Sequence, residues 1–127
     1  MALLSTNQQQ QQYPIVAGYA FKTAFTFAAV GSTVILTNAA AGIYRFNVSA
    51  IITTAQGSDT LTVNALYTDD QQAETIAVLN AVSTASQGQF NGSAIIENTA
   101  AANISYSVTT TATTAVGNIY ILIERLF

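Results

Sequence analysis

Gly42-Ile43-Tyr44-Arg45-Phe46-Asn47-Val48-Ser49-Ala50-Ile51-Ile52-Thr53-Thr54 (residues 42–54) is the stretch on which the fold turns. Tyr44, Phe46, Val48, Ala50 and Ile52 fall at every second position, with Arg45, Asn47, Ser49 and Thr53 between them. Successive side chains of an extended chain point to opposite faces, so a period of two gathers the apolar set on one side of a strand. A helix would spread the same residues around its circumference. The stretch therefore predicts a strand with one face in a core and a more polar face outside it.

The same reading extends in both directions. After the turn-like residues 55–59 (AQGSD), Leu61, Val63, Ala65 and Tyr67 share one face of TLTVNALYT (60–68). Upstream, YAFKTAFTF (19–27) predicts a strand with Phe21, Thr23, Phe25 and Phe27 on one face, and TVILT (33–37) predicts a short one before the turn at 38–42. Downstream, GSAIIE (92–97), ANISYSVTTT (102–111) and VGNIYILIERLF (116–127) read as strands. ETIAVLNAV (74–82) alternates poorly and reads as either a strand or one helical stretch, while 68–74 and 83–89 are polar breaks. Eight or nine short strands separated by turn signals predict an all-β fold. The architecture expected is a two-sheet antiparallel sandwich of jelly-roll type, formed by residues 15–127.

Residues 1–14 form a separate segment. Gln8, Gln9, Gln10, Gln11 and Gln12 have no apolar face to bury, and Pro14 holds Tyr13 extended. They read either as a disordered tail or, the reading followed here, as an extended N-terminal arm that orders on a neighbouring subunit. Residues 23–44 and 98–123 carry no charge, but glycines, threonines and asparagines interrupt them, so they read as uncharged strands and no membrane insertion is expected.

The last strand differs from the others. Tyr120, Leu122 and Leu126 lie on one face, and Ile119, Ile121, Ile123 and Phe127 on the other. A strand apolar on both faces is expected to be covered on both: one side by the core, the other by something outside the domain, most simply another copy of the chain. Arg45, Glu97, Glu124 and Arg125 lie within strands, where charges at a subunit interface fix register.

Composition removes most chemistry. The 127 residues include three cations, six anions, and no His, Cys or Trp. Three cations cannot neutralise a useful run of phosphates, so no nucleic-acid partner is expected. Without His or Cys there is no imidazole base, no thiol nucleophile and no His/Cys metal site. Asp69, Asp70 and Glu74 form the one acidic cluster, which reads as a solvated turn because it lacks the spacing of a calcium loop. No enzyme activity, catalytic residue, metal or cofactor is expected.

Gly42-Ile43-Tyr44-Arg45-Phe46 resembles the G-x-Y-x-F strand of the C1q/tumour-necrosis-factor-like jelly rolls. Asn91 to Ile96, Ile104-Ser105-Tyr106 and Gly117-Asn118-Ile119-Tyr120 are similar to that family's later strands, so the likeness spans residues 20–127. Ala102-Asn103 stands where C1q domains often have Gly-Asp, and no ligand or calcium role is carried over. The chain also resembles the small Ala/Thr-rich virion proteins of tailed bacteriophages, in Tyr67-Thr68-Asp69-Asp70 and in Ile123-Glu124-Arg125-Leu126.

These likenesses imply a homotrimeric capsid decoration, or cement, protein on the virion exterior, made in the host cytoplasm. Its partners would be itself and the major capsid protein. Gln8 to Gln12 and Tyr13 would form the capsid-binding arm, and Arg45, Tyr120, Leu122, Glu124, Arg125 and Leu126 the trimer interface. The alternative is a receptor-binding knob at the tip of a phage fibre, recognising a cell-surface glycan.

Overall fold

The computed structural model describes residues 14–70, 72–99, 101–111 and 114–127. Eight strands follow in order: β1 (Ile15–Thr26), β2 (Val30–Ala39), β3 (Gly42–Thr54), β4 (Thr60–Thr68), β5 (Ala73–Ser83), β6 (Gly88–Asn98), β7 (Ala102–Thr110) and β8 (Val116–Arg125). They form two four-stranded antiparallel sheets, ordered β1-β8-β3-β6 and β2-β7-β4-β5. Every connection crosses between the sheets except the β4–β5 hairpin. That is the double Greek-key topology of a jelly roll. Among the described residues there is no helix, and so none long and apolar enough to cross a membrane.

The alternation read from the sequence builds the core. Tyr44, Phe46, Val48, Ala50 and Ile52 of β3 are buried, as are Leu61, Val63 and Ala65 of β4. Ile119, Ile121 and Ile123 of β8 complete the inner face of the first sheet; Ile104, Tyr106 and Val108 of β7 face them from the second. At roughly 1.5–3 kcal/mol for each large apolar side chain removed from water, this layer is the main source of stability. Gly117 begins the well-aligned part of β8 because the Ile51 carbonyl and the Phe27 ring occupy the space a Cβ would need.

Two expectations are corrected or resolved. Phe21, Phe25 and Phe27 do not share a face: β1 bulges between Lys22 and Phe25, where Ala24 takes φ of 50°. One extra residue reverses the alternation, so Phe27 is buried and Phe25 packs against the core, but Phe21 stands 58 % exposed on the outer face. The ambiguous 74–82 stretch is strand β5. Two bulges in β5, one beside Ala81 at φ of 50°, break the period of two that would have made it legible.

Candidate functional site: the outer face of the β1-β8-β3-β6 sheet

The buried isoleucines of β8 settle which of its faces meets the core, so Tyr120, Leu122 and Glu124 point outward. Cross-strand register brings β1 and β3 residues beside them. Phe21 lies opposite Tyr120, which lies opposite Ser49; Tyr19 lies opposite Leu122, which lies opposite Asn47. In the next row outward-facing Val16, Glu124, Arg45 and Ile95 follow one another across all four strands.

The result is an aromatic cluster with a polar flank. Tyr19 and Phe21 stack with centroids 6.1 Å apart and planes within 6°, and Phe21 meets Tyr120 at 6.4 Å. Tyr19 is 66 % exposed, Tyr120 39 % and Leu122 38 %. A groove of about 290 Å³ runs between Tyr19, Phe21, Tyr120 and Leu122 on one side and Asn47 and Ser49 on the other. Beside it Arg45 Nη1 pairs with Glu124 Oε1 at 3.3 Å, and Asn47 Nδ2 donates to the same oxygen at 3.0 Å and to the Leu122 carbonyl at 3.2 Å. A pair this exposed contributes about 0–1 kcal/mol to the single chain, so its position matters more than its strength.

Four of the six residues expected at the trimer interface, Arg45, Tyr120, Leu122 and Glu124, thus meet on one surface. Arg125 and Leu126 lie apart: Arg125 Nη2 donates to the Ala41 carbonyl at 2.9 Å, and the Leu126 amide donates to the Ile43 carbonyl at 2.7 Å. The expected arm residues Gln8 to Gln12 and Tyr13 lie outside the described residues. Sequence reasoning missed Tyr19 and Phe21 as members of this surface. Tyr19 was readable, since it shares the phase of Phe21, but the bulge that detaches both from Phe25 leaves no motif.

The acidic loop carries no comparable site. The Gln72 amide donates to Asp69 Oδ1 at 2.9 Å, and Gln72 Nε2 donates to Glu74 Oε2 at 3.0 Å, the geometry of a closed turn. Among the described residues no group of three or more acidic, His or Cys side chains could hold a metal ion. Burial, with the nearby Glu74 and Asp69 carboxylates, raises the Tyr67 phenol above its ordinary value.

No family model matches the chain, and no curated protein matches it in sequence. Solved structures do match in shape. The chain is similar to the PRD1 vertex protein P5 (TM-score 0.55, 14% identity, 91% of this chain and 100% of that one). It is also similar to murine APRIL (0.51, 8%, 86% and 98%). A third is the infectious bursal disease virus VP2 subviral particle (0.50, 12%, 86% of this chain and 37% of that one). At these identities the likeness is one of fold: the chain shares its jelly-roll architecture with these three structures.

Proposed function

We propose that this chain is a non-enzymatic structural protein of a virion, assembling as a homotrimer through the outer face of β1-β8-β3-β6 and decorating the capsid exterior. The observation that carries the reading is the Tyr19–Phe21–Tyr120–Leu122 cluster, a contiguous apolar surface built around aromatic rings in contact. Such patches mark association sites. Arg45 and Glu124 beside the cluster would hold the register of neighbouring copies. The likeness to a viral vertex protein supports a shell role, and the lack of any His or Cys in the sequence supports a role without catalysis.

Decoration works by adhesion. Three copies joined to one another present three attachment arms at once, residues 1–14 of each, to the major capsid protein. Linked weak contacts then dissociate far more slowly than any one of them, and the shell subunits beneath are held together. Quantifying the protein against the shell protein in purified virions tests this. Copies in the range of the shell protein itself are expected, and a handful per particle would overturn it.

A second reading has one observation in its favour. The stacked Tyr19 and Phe21 rings beside Asn47 and Ser49 combine an apolar platform with amide and hydroxyl groups, a pairing suited to a sugar ring. A fibre-tip knob binding a cell-surface glycan needs this face free, so the oligomeric state separates the two.

A further inference from the structure

The four sheet edges of the sandwich are built differently. The bulges of β1, β2 and β5 all place the extra residue in the edge strand itself. Each of these strands also holds one non-glycine residue at φ of 50°: Ala24, Asn38 and Ala81. In each case the displaced amide is tied to a side chain of the adjoining inner strand. Ala24 N–H donates to Asn118 Oδ1 at 2.8 Å, Asn38 N–H to Asn103 Oδ1 at 2.8 Å, and Ala81 N–H to Thr62 Oγ1 at 2.9 Å. A bulge twists an edge and takes its amides out of line, which prevents a straight strand from adding to it. Three edges are therefore closed by the same device.

β6 is not. It pairs with β3 through eleven consecutive residues, from Gly42↔Asn98 to Ile52↔Gly88, with no shift of register. It contains no Pro, no Lys and no residue at positive φ. Its inner flank is fixed where Gly92 packs directly on the Val78 carbonyl of β5, an approach that leaves no space for a Cβ. In an antiparallel edge strand alternate N–H and C=O groups point away from the sheet, so β6 presents a straight row of unpaired backbone donors and acceptors.

We infer that the edge of β6 receives residues 1–13 of a second copy as an added β-strand. Three features fit this occupant. Eleven residues of edge span about 37 Å, within reach of thirteen extended residues. The exposed outer side chains of β6 begin Gln89, Asn91, Ser93, and Gln89 Nε2 already donates to Ser49 Oγ at 3.0 Å and to Asn91 Oδ1 at 3.3 Å. Gln8 to Gln12 would extend that row of amides, since each glutamine both donates and accepts. Residues 1–13 also hold no charged side chain, so pairing them with β6 brings no side-chain charge out of water.

A second copy is the donor argued for, because β1 and β6 are opposite edges of one sheet and a chain's own arm, once across, is too short to cover all eleven residues of the β6 edge. Ile15 starts in the row of Ile96, three strand spacings or about 14 Å away. A chain's own arm would spend four or five residues crossing before it could pair. The inference deepens the proposed role of the arm by adding a contact between copies to its contact with the shell. It is tested without any shell, so its failure leaves shell binding untouched.

The cysteine-free sequence makes the test direct. A Gln10→Cys full-length chain carrying a nitroxide is mixed with unmodified full-length chain labelled with nitrogen-15. Severalfold loss of amide signal intensity is expected along Gln89–Glu97 of the labelled copy, extending to the part of β5 packed against it and falling off toward the edges of β1 and β2. Asn91→Lys in the labelled copy, an exposed substitution that blunts the edge, is expected to remove the effect while leaving the rest of the spectrum in place. Absence of broadening on β6, broadening that persists in the Asn91→Lys chain, or broadening spread equally over all four edges would overturn the proposal.

Discussion

The two sheets share one construction on their inner faces and diverge on their outer ones. On β2-β7-β4-β5 the outward side chains are mostly Thr, Ser and Asn, and they bond to one another or to nearby backbone, as Asn64 Nδ2 does to Ser107 Oγ at 3.2 Å. Among the described residues its exposed large apolar residues are Val34, on the outer face, and Ile76, which lies opposite the buried Ala65 on the inner side of the β5 edge. On β1-β8-β3-β6 there are six, Val16, Tyr19, Phe21, Ile95, Tyr120 and Leu122, and three aromatic rings among them touch. Both faces would solvate equally well with Thr and Ser. That only one does so is the reason this face is proposed as the association surface, with Arg45 and Glu124 as its orienting pair in a chain with few charges.

The comparison breaks most visibly at Leu122. In the lone chain it is over one-third exposed, so Leu122→Asp would be tolerated there; in a covered face it buries a carboxylate at a cost of roughly 3–5 kcal/mol. Loss of assembly is expected, read by sedimentation. Thr109→Asp on the opposite outer face is expected to change stability by less than about 0.5 kcal/mol and to leave the mass unchanged. Tyr120→Ala should weaken association by about 2 kcal/mol through loss of the ring that joins Phe21 to β8, with little change in the melting of the subunit. Arg45→Glu sets two carboxylates opposite each other and should cost about 1 kcal/mol, recovered in large part by adding Glu124→Arg.

Smaller effects sharpen the contrast between edges. Ala24→Gly and Ala81→Gly relieve an L-residue at positive φ and should each raise stability by about 0.5 kcal/mol, measured by urea unfolding. Tyr67 gives the smallest. Folding favours its neutral phenol, so its contribution is complete below the ordinary tyrosine value of 10.0 and is lost as pH rises through the higher folded value. Tyr67→Phe is therefore expected to flatten the alkaline limb of the stability profile.

The inner faces were legible in the sequence because burial writes a period of two, and β3, β4 and β8 carry it without interruption. The sandwich followed from those strands and the turns between them. The edge strands were harder to read for the reason that protects them. A bulge inserts one residue and inverts the phase, so β5 lost its alternation and Phe21 was grouped with Phe27. The aromatic outer face was half legible. Tyr120 and Leu122 stood out because β8 is apolar on both sides, whereas Tyr19 and Phe21 join them only through the β1–β8 register, a pairing of residues a hundred positions apart. No local pattern encodes that.

In the proposed trimer the aromatic face is covered by copies of the same chain. Light scattering on the purified full-length protein at micromolar concentration tests it directly. A mass three times the 13.3 kDa of one chain is expected, falling to a single chain on Leu122→Asp. A stable monomer, or an assembly indifferent to Leu122, would contradict it.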